Sequence, residues 1–146
     1  MPRNRPSTPA RPRKVLIVED ERCIREPLVE LFEVPGTTDV TAADSLDEAL
    51  AALRRESFDL VITDIRLGAR RDGGLQAMAS ASLLSPDAPV IALTAFPDDD
   101  NRGAARRLGA RHFLEKPVDL TVIAALAGEA GVRTAMGAPA ALSSSA

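Results

Sequence analysis

The sequence is poor in aromatic residues and in cysteine. Its 146 residues include no tryptophan or tyrosine, four phenylalanines and a single cysteine, Cys23. An intramolecular disulfide is therefore impossible, and a cysteine-based zinc site is not expected. Stacking on exposed bases needs aromatic side chains, so nucleic acid is an unlikely partner. No apolar run approaches the roughly 20 residues that cross a bilayer, so we expect no membrane contact.

The charged residues are unevenly distributed. The net charge is −3, yet residues 1–13 contain four arginines, four prolines and no acidic residue. We predict a basic, disordered leader there, and because it lacks the apolar segment of a secretory signal we expect a cytoplasmic location. Residues 132–146 are small and polar, which predicts a disordered C-terminal tail. One domain over 14–131 remains.

Strand and helix patterns alternate five times within that domain. Apolar runs predict strands at 14–18, 38–42, 59–64, 90–94 and 112–115, each followed by a segment with helical spacing. This alternation predicts an α/β fold: a five-stranded parallel sheet with five helices on both faces, the flavodoxin-like (βα)5 doubly wound arrangement. Ser45 and Glu48 predict a capping box before the second helix. Pro27 predicts a kink or a late start in the first helix.

Polar side chains stand where four of the strands end. The first strand ends on Glu19 and Asp20, the third on Asp64, the fourth on Thr94 and the fifth on Lys116. Carboxyl ends of parallel strands share one edge of a sheet, so we expect these side chains to meet in one cleft. Three carboxylates are costly to gather unless a cation balances them, and oxygen ligands suit Mg²⁺. A carboxylate beside such a metal can attack phosphorus and form an aspartyl phosphate.

Each of these residues has an ordinary explanation when it is taken alone. Asp20 could favour the positive N-terminus of the next helix, and Lys116 could be a surface charge. Together, the segments VLIVEDE, LVITDIR, VIALTA and FLEKP resemble the receiver domain of two-component response regulators, from about Lys14 to Gly131. The resemblance covers the whole predicted domain, and it is specific because four motifs occur in the same order.

The resemblance implies a role for each residue at the strand ends. Asp64 would be the phosphoryl acceptor, assisted by Lys116 and Thr94. Mg²⁺, or Mn²⁺, would be held by Glu19, Asp20, Asp64 and the backbone carbonyl of Arg66. Thr94 and Phe113 would form the conformational switch, the Lys116–Pro117 peptide bond would be cis, and Arg66 and Phe96 would modulate access to the phosphoryl group.

The resemblance also implies the partners. A sensor histidine kinase or a histidine phosphotransfer protein would supply the phosphoryl group. A downstream protein target would bind the face formed by the fourth helix, fifth strand and fifth helix, and dimerisation on phosphorylation is a further option. Because the chain ends soon after the fifth helix, we expect a stand-alone, single-domain regulator. It would be no enzyme beyond self-phosphorylation and autodephosphorylation.

Two alternatives and two departures accompany this interpretation. An aspartate-nucleophile phosphatase needs a second aspartate where Arg66 stands, which disfavours an enzyme. A receiver-like interaction module that works without phosphorylation stays open, although the intact motif residues argue against it. In the loop after Asp64, Gly68 stands where the family usually has proline, and Asp72-Gly73 comes one residue late. We expect a more mobile loop with unchanged chemistry.

Overall fold

A computed structural model of the chain describes residues 11–68 and 72–137. Ten elements alternate along it. They are β1 (Arg13–Val18), α1 (Arg22–Phe32), β2 (Thr38–Ala43), α2 (Leu46–Arg55), β3 (Leu60–Asp64), α3 (Gly73–Leu84), β4 (Val90–Thr94), α4 (Asp99–Arg107), β5 (Ala110–Glu115) and α5 (Leu120–Glu129). Most of the predicted leader, residues 1–10, lies outside the described residues. Arg13 belongs to β1 and not to the leader.

The five strands form one parallel sheet in the order β2-β1-β3-β4-β5. The predicted doubly wound fold is confirmed. The chain moves from β1 to β2 on one side and then to β3 on the other, so the strand order reverses between β1 and β3. Crevices at such a reversal bind ligands in open α/β sheets. Among the helices within the described ranges, none combines the length and apolar character needed to span a bilayer.

The sheet is covered on both faces, which explains its continuous apolar strands. Leu16 and Val18 pack into a cluster with residues of α2, α3 and α4, whereas Val15 and Ile17 pack into a second cluster with α1 and α5. Successive side chains of a strand point to opposite faces, so one strand serves both clusters. The buried sheet leaves only its ends for polar chemistry.

The helix signals are present, with two differences in detail. Ser45 Oγ accepts from the Glu48 N–H at 3.2 Å, and Glu48 Oε1 accepts from the Asp44 N–H at 2.8 Å. In a capping box the Glu48 side chain accepts from the Ser45 N–H; here it accepts from the Asp44 N–H instead. α1 starts at Arg22 and continues through Pro27, so the late start is not observed.

Residues 132–137 are packed against the domain, so the predicted disordered tail is wrong for this segment. Val132 and Thr134 are 1% and 3% exposed. Thr38 Oγ1 donates to the Arg133 carbonyl at 2.8 Å, and the Ala135 N–H donates to the Leu31 carbonyl at 2.7 Å. Gly131 has φ +80°, a left-handed conformation that ends α5 and turns the chain back over α1 and β2. Residues 138–146 lie outside the described residues.

Candidate functional site

The strand ends form an open cleft of about 330 Å³ at the reversal point of the sheet. Its walls come from the segments that follow β1, β3, β4 and β5. The lining residues are Asp20, Glu21, Asp64, Arg66, Gly68, Thr94, Ala95, Phe96 and Lys116. The structure therefore brings together most of the residues singled out from the sequence. Phe113 is not among the residues of this cleft.

Three carboxylates converge in the cleft. One oxygen from each of Glu19, Asp20 and Asp64 lies within 4.8 Å of the other two. Glu19 is fully buried and Asp64 is 6% exposed, whereas Asp20 is half-buried. β1 and β3 are neighbours in register, so their carboxyl ends deliver these groups side by side.

Lys116 is the positive charge at the centre of this acidic group. Its Nζ lies 2.8 Å from Asp64 Oδ2, 2.9 Å from Glu19 Oε1 and 3.3 Å from Glu21 Oε1. The contacts to Asp64 and Glu21 are hydrogen bonds. Within residues 11–68 and 72–137, Glu19 Oε1 has the ion-pair contact with Lys116 but no aligned hydrogen bond. The Lys116–Pro117 peptide bond is cis, as expected from the sequence.

The pKa values of the site reflect mainly the burial of its charged groups, with Lys116 acting against burial in the two acids. Burial raises the pKa of Glu19 to about 7, against the opposing effect of hydrogen bonding to the Glu21 N–H and of Lys116. Burial also raises the pKa of Asp64, although Lys116 opposes it. For Lys116, burial alone would lower the pKa, but the close contacts with the carboxylates of Asp64 and Glu19 outweigh it and raise the pKa. Desolvation disfavours each isolated charge, so the acids gain a proton more readily than in water.

The donor set fits a hard divalent cation. The three converging carboxylates outnumber the one ammonium between them, and within the described residues the buried Glu19 Oε1 has an ion-pair contact but no aligned hydrogen bond. All available donors are oxygens, which suit Mg²⁺ or Mn²⁺ better than softer metals. Asp20 is presented from the cleft wall, where its Oδ2 accepts from the Gly68 N–H at 2.8 Å. The site thus has the charge and the ligand chemistry for a bound Mg²⁺.

Thr94, Arg66 and Phe96 line one side of the cleft, Thr94 as a buried residue and Phe96 as an exposed one. The Thr94 hydroxyl oxygen accepts from the Phe96 N–H at 2.8 Å. The guanidinium of Arg66 lies 4.3 Å from the centre of the Phe96 ring, within the range of a cation–π contact. The Phe96 ring is 50% exposed, so this stack stands at the mouth of the cleft.

Sequence reasoning missed the structural importance of two glycines. The Gly68 backbone has φ +57° and donates its N–H to Asp20, which a proline at this position could not do. A Cβ on Gly74 would lie 1.6 Å from the Asp64 carbonyl oxygen, so α3 reaches the acceptor strand only because this residue has no side chain. The consecutive pair Gly73-Gly74 was the signal for such close packing.

The fold and the site together define a flavodoxin-like α/β domain with an acidic, lysine-containing cleft at its switch point. The family model described as response regulator receiver domain matches residues 15–127, and the chain belongs to this family. Members of the family are the phosphoacceptor domains of two-component systems, which work with histidine kinases and bind Mg²⁺ at an acidic pocket.

Individual relatives agree with this assignment. The response regulator protein PilR of Pseudomonas aeruginosa is 42% identical over 108 residues, which are 73% of this chain and 23% of PilR. A crystal structure of a Burkholderia pseudomallei response regulator with a phosphorylated aspartic acid, calcium ion and citrate is 30% identical, with a TM-score of 0.69 over 79% of this chain and 65% of that one. A CheY-like receiver domain from Methanospirillum hungatei is 25% identical, with a TM-score of 0.72 over 82% and 94%.

The relatives differ from this chain in length. The chain spans about half the length, or less, of the curated relatives it matches. The stand-alone organisation expected from the sequence therefore stays a prediction.

Proposed function

We propose that Asp64 accepts a phosphoryl group from the phosphohistidine of a sensor histidine kinase or of a histidine phosphotransfer protein. The observation that carries this proposal is the contact of 2.8 Å between Lys116 Nζ and Asp64 Oδ2. It lies at the carboxyl end of β3, where the carboxylates of Glu19 and Asp20 also converge. A carboxylate that only capped a helix would need neither the buried lysine nor the other acids. The chain would act as a phosphoacceptor with self-phosphorylation and autodephosphorylation, not as a turnover enzyme.

The acidic group would hold Mg²⁺, or Mn²⁺, through Glu19, Asp20, Asp64 and the backbone carbonyl of Arg66. When bound, the ion would neutralise the carboxylates and the phosphoryl oxygens. The excess of negative charge and the buried Glu19 oxygen support this assignment.

The side chains of the cleft have distinct tasks in the transfer. An Asp64 oxygen attacks phosphorus, the bond from phosphorus to the donor nitrogen breaks, and its electron pair returns to the imidazole. The Lys116 ammonium pairs with the Asp64 carboxylate before the transfer and with the phosphoryl oxygens after it. The Thr94 oxygen accepts the Phe96 N–H, which fixes the hydroxyl at the cleft wall, and the hydroxyl would donate its hydrogen to a phosphoryl oxygen.

The signal would leave the site through β4 and β5. Thr94 pairs with Glu115 and Ala92 pairs with Phe113, so a shift at the end of β4 is passed to the strand that carries the aromatic ring. Phe113 is half-buried and packs against the core cluster under α2, α3 and α4, so part of its ring is still exposed. Phosphorylation would shift the population towards a state in which the ring packs further inward, and would change binding of a downstream protein, or of a second copy, at the face of α4, β5 and α5.

The stack of Arg66 on Phe96 would control the lifetime of the phosphoryl group. Together the two side chains cover the approach to Asp64, so we expect slow hydrolysis of the aspartyl phosphate. Phe96→Ala should shorten the half-life several-fold, and adding Arg66→Ala should have little further effect because one stack is lost in either case. The decay of phosphoprotein mass at neutral pH measures this. A wild-type half-life of only seconds would contradict a protective role.

Mass spectrometry after incubation with acetyl phosphate and Mg²⁺ tests the proposed function. We expect a mass gain of one phosphoryl group in the wild type and in Asp87→Asn, an exposed acid chosen as the matched control. The gain should be absent in Asp64→Asn and after addition of a chelator. A folded wild-type protein without any mass gain would contradict phosphorylation and support the interaction module that works without it.

A further inference from the structure

A second groove, of about 250 Å³, runs between α4 and β5. It is lined by Arg102 and Arg106 of α4 and by residues 110–114 of β5. The groove is separate from the acidic cleft, since the two share no lining residue. Its position on the face of α4, β5 and α5 gives it a potential role in output.

The groove is strongly basic. Arg102, Arg106 and Arg111 line it together with His112, and no acidic residue contributes to its wall. Within residues 11–68 and 72–137, none of the three arginines comes within ion-pair distance of a carboxylate. Arg102 and Arg106 are four residues apart on one side of α4, where like charges repel. All three arginines are exposed, so their positive charge is available to a ligand.

The groove also follows a free strand edge. β5 is at the end of the sheet, and within the described part of the chain it pairs only with β4. The outer edge of such a strand offers backbone N–H and C=O groups to an extended peptide, while neighbouring side chains select its sequence. Phe113 and Leu114 add apolar surface beside the arginines.

One arginine of the groove also contacts the aromatic residue of the proposed switch. The guanidinium of Arg102 lies 4.6 Å from the centre of the Phe113 ring. If the ring packs inward, Arg102 must either follow it or lose the stack. A ligand that binds Arg102 therefore favours one position of Phe113, and by linkage the position of Phe113 changes the affinity for that ligand.

We propose that this groove docks a short acidic segment of a partner protein, with its carboxylates on Arg102, Arg106 and Arg111 and its affinity tied to Phe113 through the Arg102 stack. The proposal rests on the proposed function, because it gives the partner chemistry of the output face. A short peptide fits better than nucleic acid. Three consecutive aspartates stand at the start of α4, Asp98 as its N-cap and Asp99 and Asp100 in its first turn, and they would repel a phosphate backbone that extended along the helix.

Fluorescence anisotropy with a labelled peptide of alternating glutamate and leucine tests the docking. A peptide with glutamine in place of glutamate and a single-stranded oligonucleotide of equal charge serve as comparison probes. We expect the glutamate peptide to bind, the glutamine peptide to bind at least tenfold more weakly, and amide chemical shifts in NMR spectra to change at residues 102–114. Arg106→Glu/Arg111→Glu should weaken binding at least tenfold, because two of the three positive charges are reversed.

The matched control reverses two exposed arginines on another helix. Arg54→Glu/Arg55→Glu makes the same change in net charge on α2 and should leave peptide binding within twofold of the wild type. Treatment with acetyl phosphate should change the affinity at least threefold, and Arg102→Leu should remove that difference. Equal loss in both double variants, shifts confined to another surface, or tighter binding of the oligonucleotide in this groove would overturn the proposal. An affinity that phosphorylation does not alter would overturn the link to Phe113.

The failures of the two proposals are distinguishable. Docking to unphosphorylated protein does not depend on the chemistry of Asp64, so a missing mass gain would contradict phosphorylation and leave the groove result standing. Protein that is phosphorylated at Asp64 but does not bind the glutamate peptide would contradict only the acidic partner.

Discussion

At the scale of single residues, Glu19 determines how the acidic group responds to pH when no divalent cation is supplied. Its pKa is 4.5 in a model peptide and about 7 in the fold, with burial as the main cause. Between these values the folded state holds a proton that the unfolded state has lost. The free energy of unfolding must therefore fall as pH rises through this window, by about 3 kcal/mol at 1.36 kcal/mol per pKa unit.

We predict this fall in wild-type protein without divalent cations, between pH 4.5 and pH 7. Glu19→Gln should flatten most of it, while a smaller slope of the same sign remains because the pKa of Asp64 is also raised. Saturating Mg²⁺ should oppose the fall, since the metal binds the deprotonated carboxylates. Urea denaturation at several pH values measures the effect, and Glu129→Gln is an exposed control. If the free energy of unfolding changed with pH in the same way in the wild type and in Glu19→Gln, the raised pKa would not belong to Glu19.

Gly68 is the second residue that matters at this scale, because its backbone N–H is expected to affect Mg²⁺ binding by Asp20. Its N–H donates to Asp20 Oδ2 at 2.8 Å, with φ at +57°. Proline has no N–H and requires φ near −65°. A net hydrogen bond contributes about 1 kcal/mol, so Gly68→Pro should weaken Mg²⁺ binding about fivefold.

Gly68→Ala is the matched control. It retains the N–H, and left-handed backbone costs an alanine about 1–2 kcal/mol. We therefore expect lower stability and unchanged Mg²⁺ affinity for this variant. Isothermal calorimetry gives the affinities. The same Mg²⁺ affinity in Gly68→Pro and wild type would show that the bond does not prepare Asp20 for the metal.

At the scale of elements, the approach of α3 to β3 depends on one missing side chain. The Gly74 N–H donates to the Ile65 carbonyl at 2.8 Å, and an added Cβ would overlap the Asp64 carbonyl. Gly74→Ala must displace α3 or the acceptor strand, which should cost about 1–3 kcal/mol of stability and slow phosphorylation of Asp64.

Gly103→Ala in α4 serves as the comparison for that prediction. The nearest atom to its added Cβ is the flexible end of Arg107 at 3.3 Å, and alanine favours a helix over glycine by up to about 1 kcal/mol. We expect this variant to be neutral or stabilised in urea denaturation. Equal stability for both variants would contradict the close packing of α3 on β3.

Elements formed by continuous apolar runs could be predicted closely. The bounds of β4 are those predicted, because a strand buried on both faces is apolar throughout. β5 begins two residues earlier than predicted, since Ala110 and Arg111 have weak strand preferences and join through a register shift beside Val90. α3 begins at Gly73, two residues before its first apolar residue, Leu75, because glycine carries no helical signal.

The site likewise has features that could be predicted from the sequence and features that could not. Topology alone brings the strand ends together, so the positions of Asp20, Asp64, Thr94 and Lys116 in one cleft could be inferred from their order in the chain. The bond from Gly68 to Asp20 and the stack of Arg66 on Phe96 depend on loop conformations. Nothing in the spacing of residues reports those conformations.

At the scale of the whole molecule, the two apolar clusters on opposite faces of the sheet contact different parts of the fold. The cluster under α2, α3 and α4 contacts Phe113 and therefore borders the proposed output groove. The cluster under α1 and α5 includes Val132, from the segment that follows the last helix. That segment joins the last helix to α1 and β2 through Thr38 and Leu31, at the end of the sheet opposite the cleft.

Val132→Ala tests whether this segment is part of the cooperative domain. The side chain is 1% exposed within an apolar cluster, so its truncation should cost about 2 kcal/mol through lost burial and the resulting cavity. Val122→Ala on α5 makes the same chemical change at a side chain that is 40% exposed, and it should cost less than about 0.5 kcal/mol. Urea denaturation compares the two. Because the segment lies far from Asp64, both variants should still accept the phosphoryl group. Equal and small costs would mean that the domain folds independently of residues 132–137.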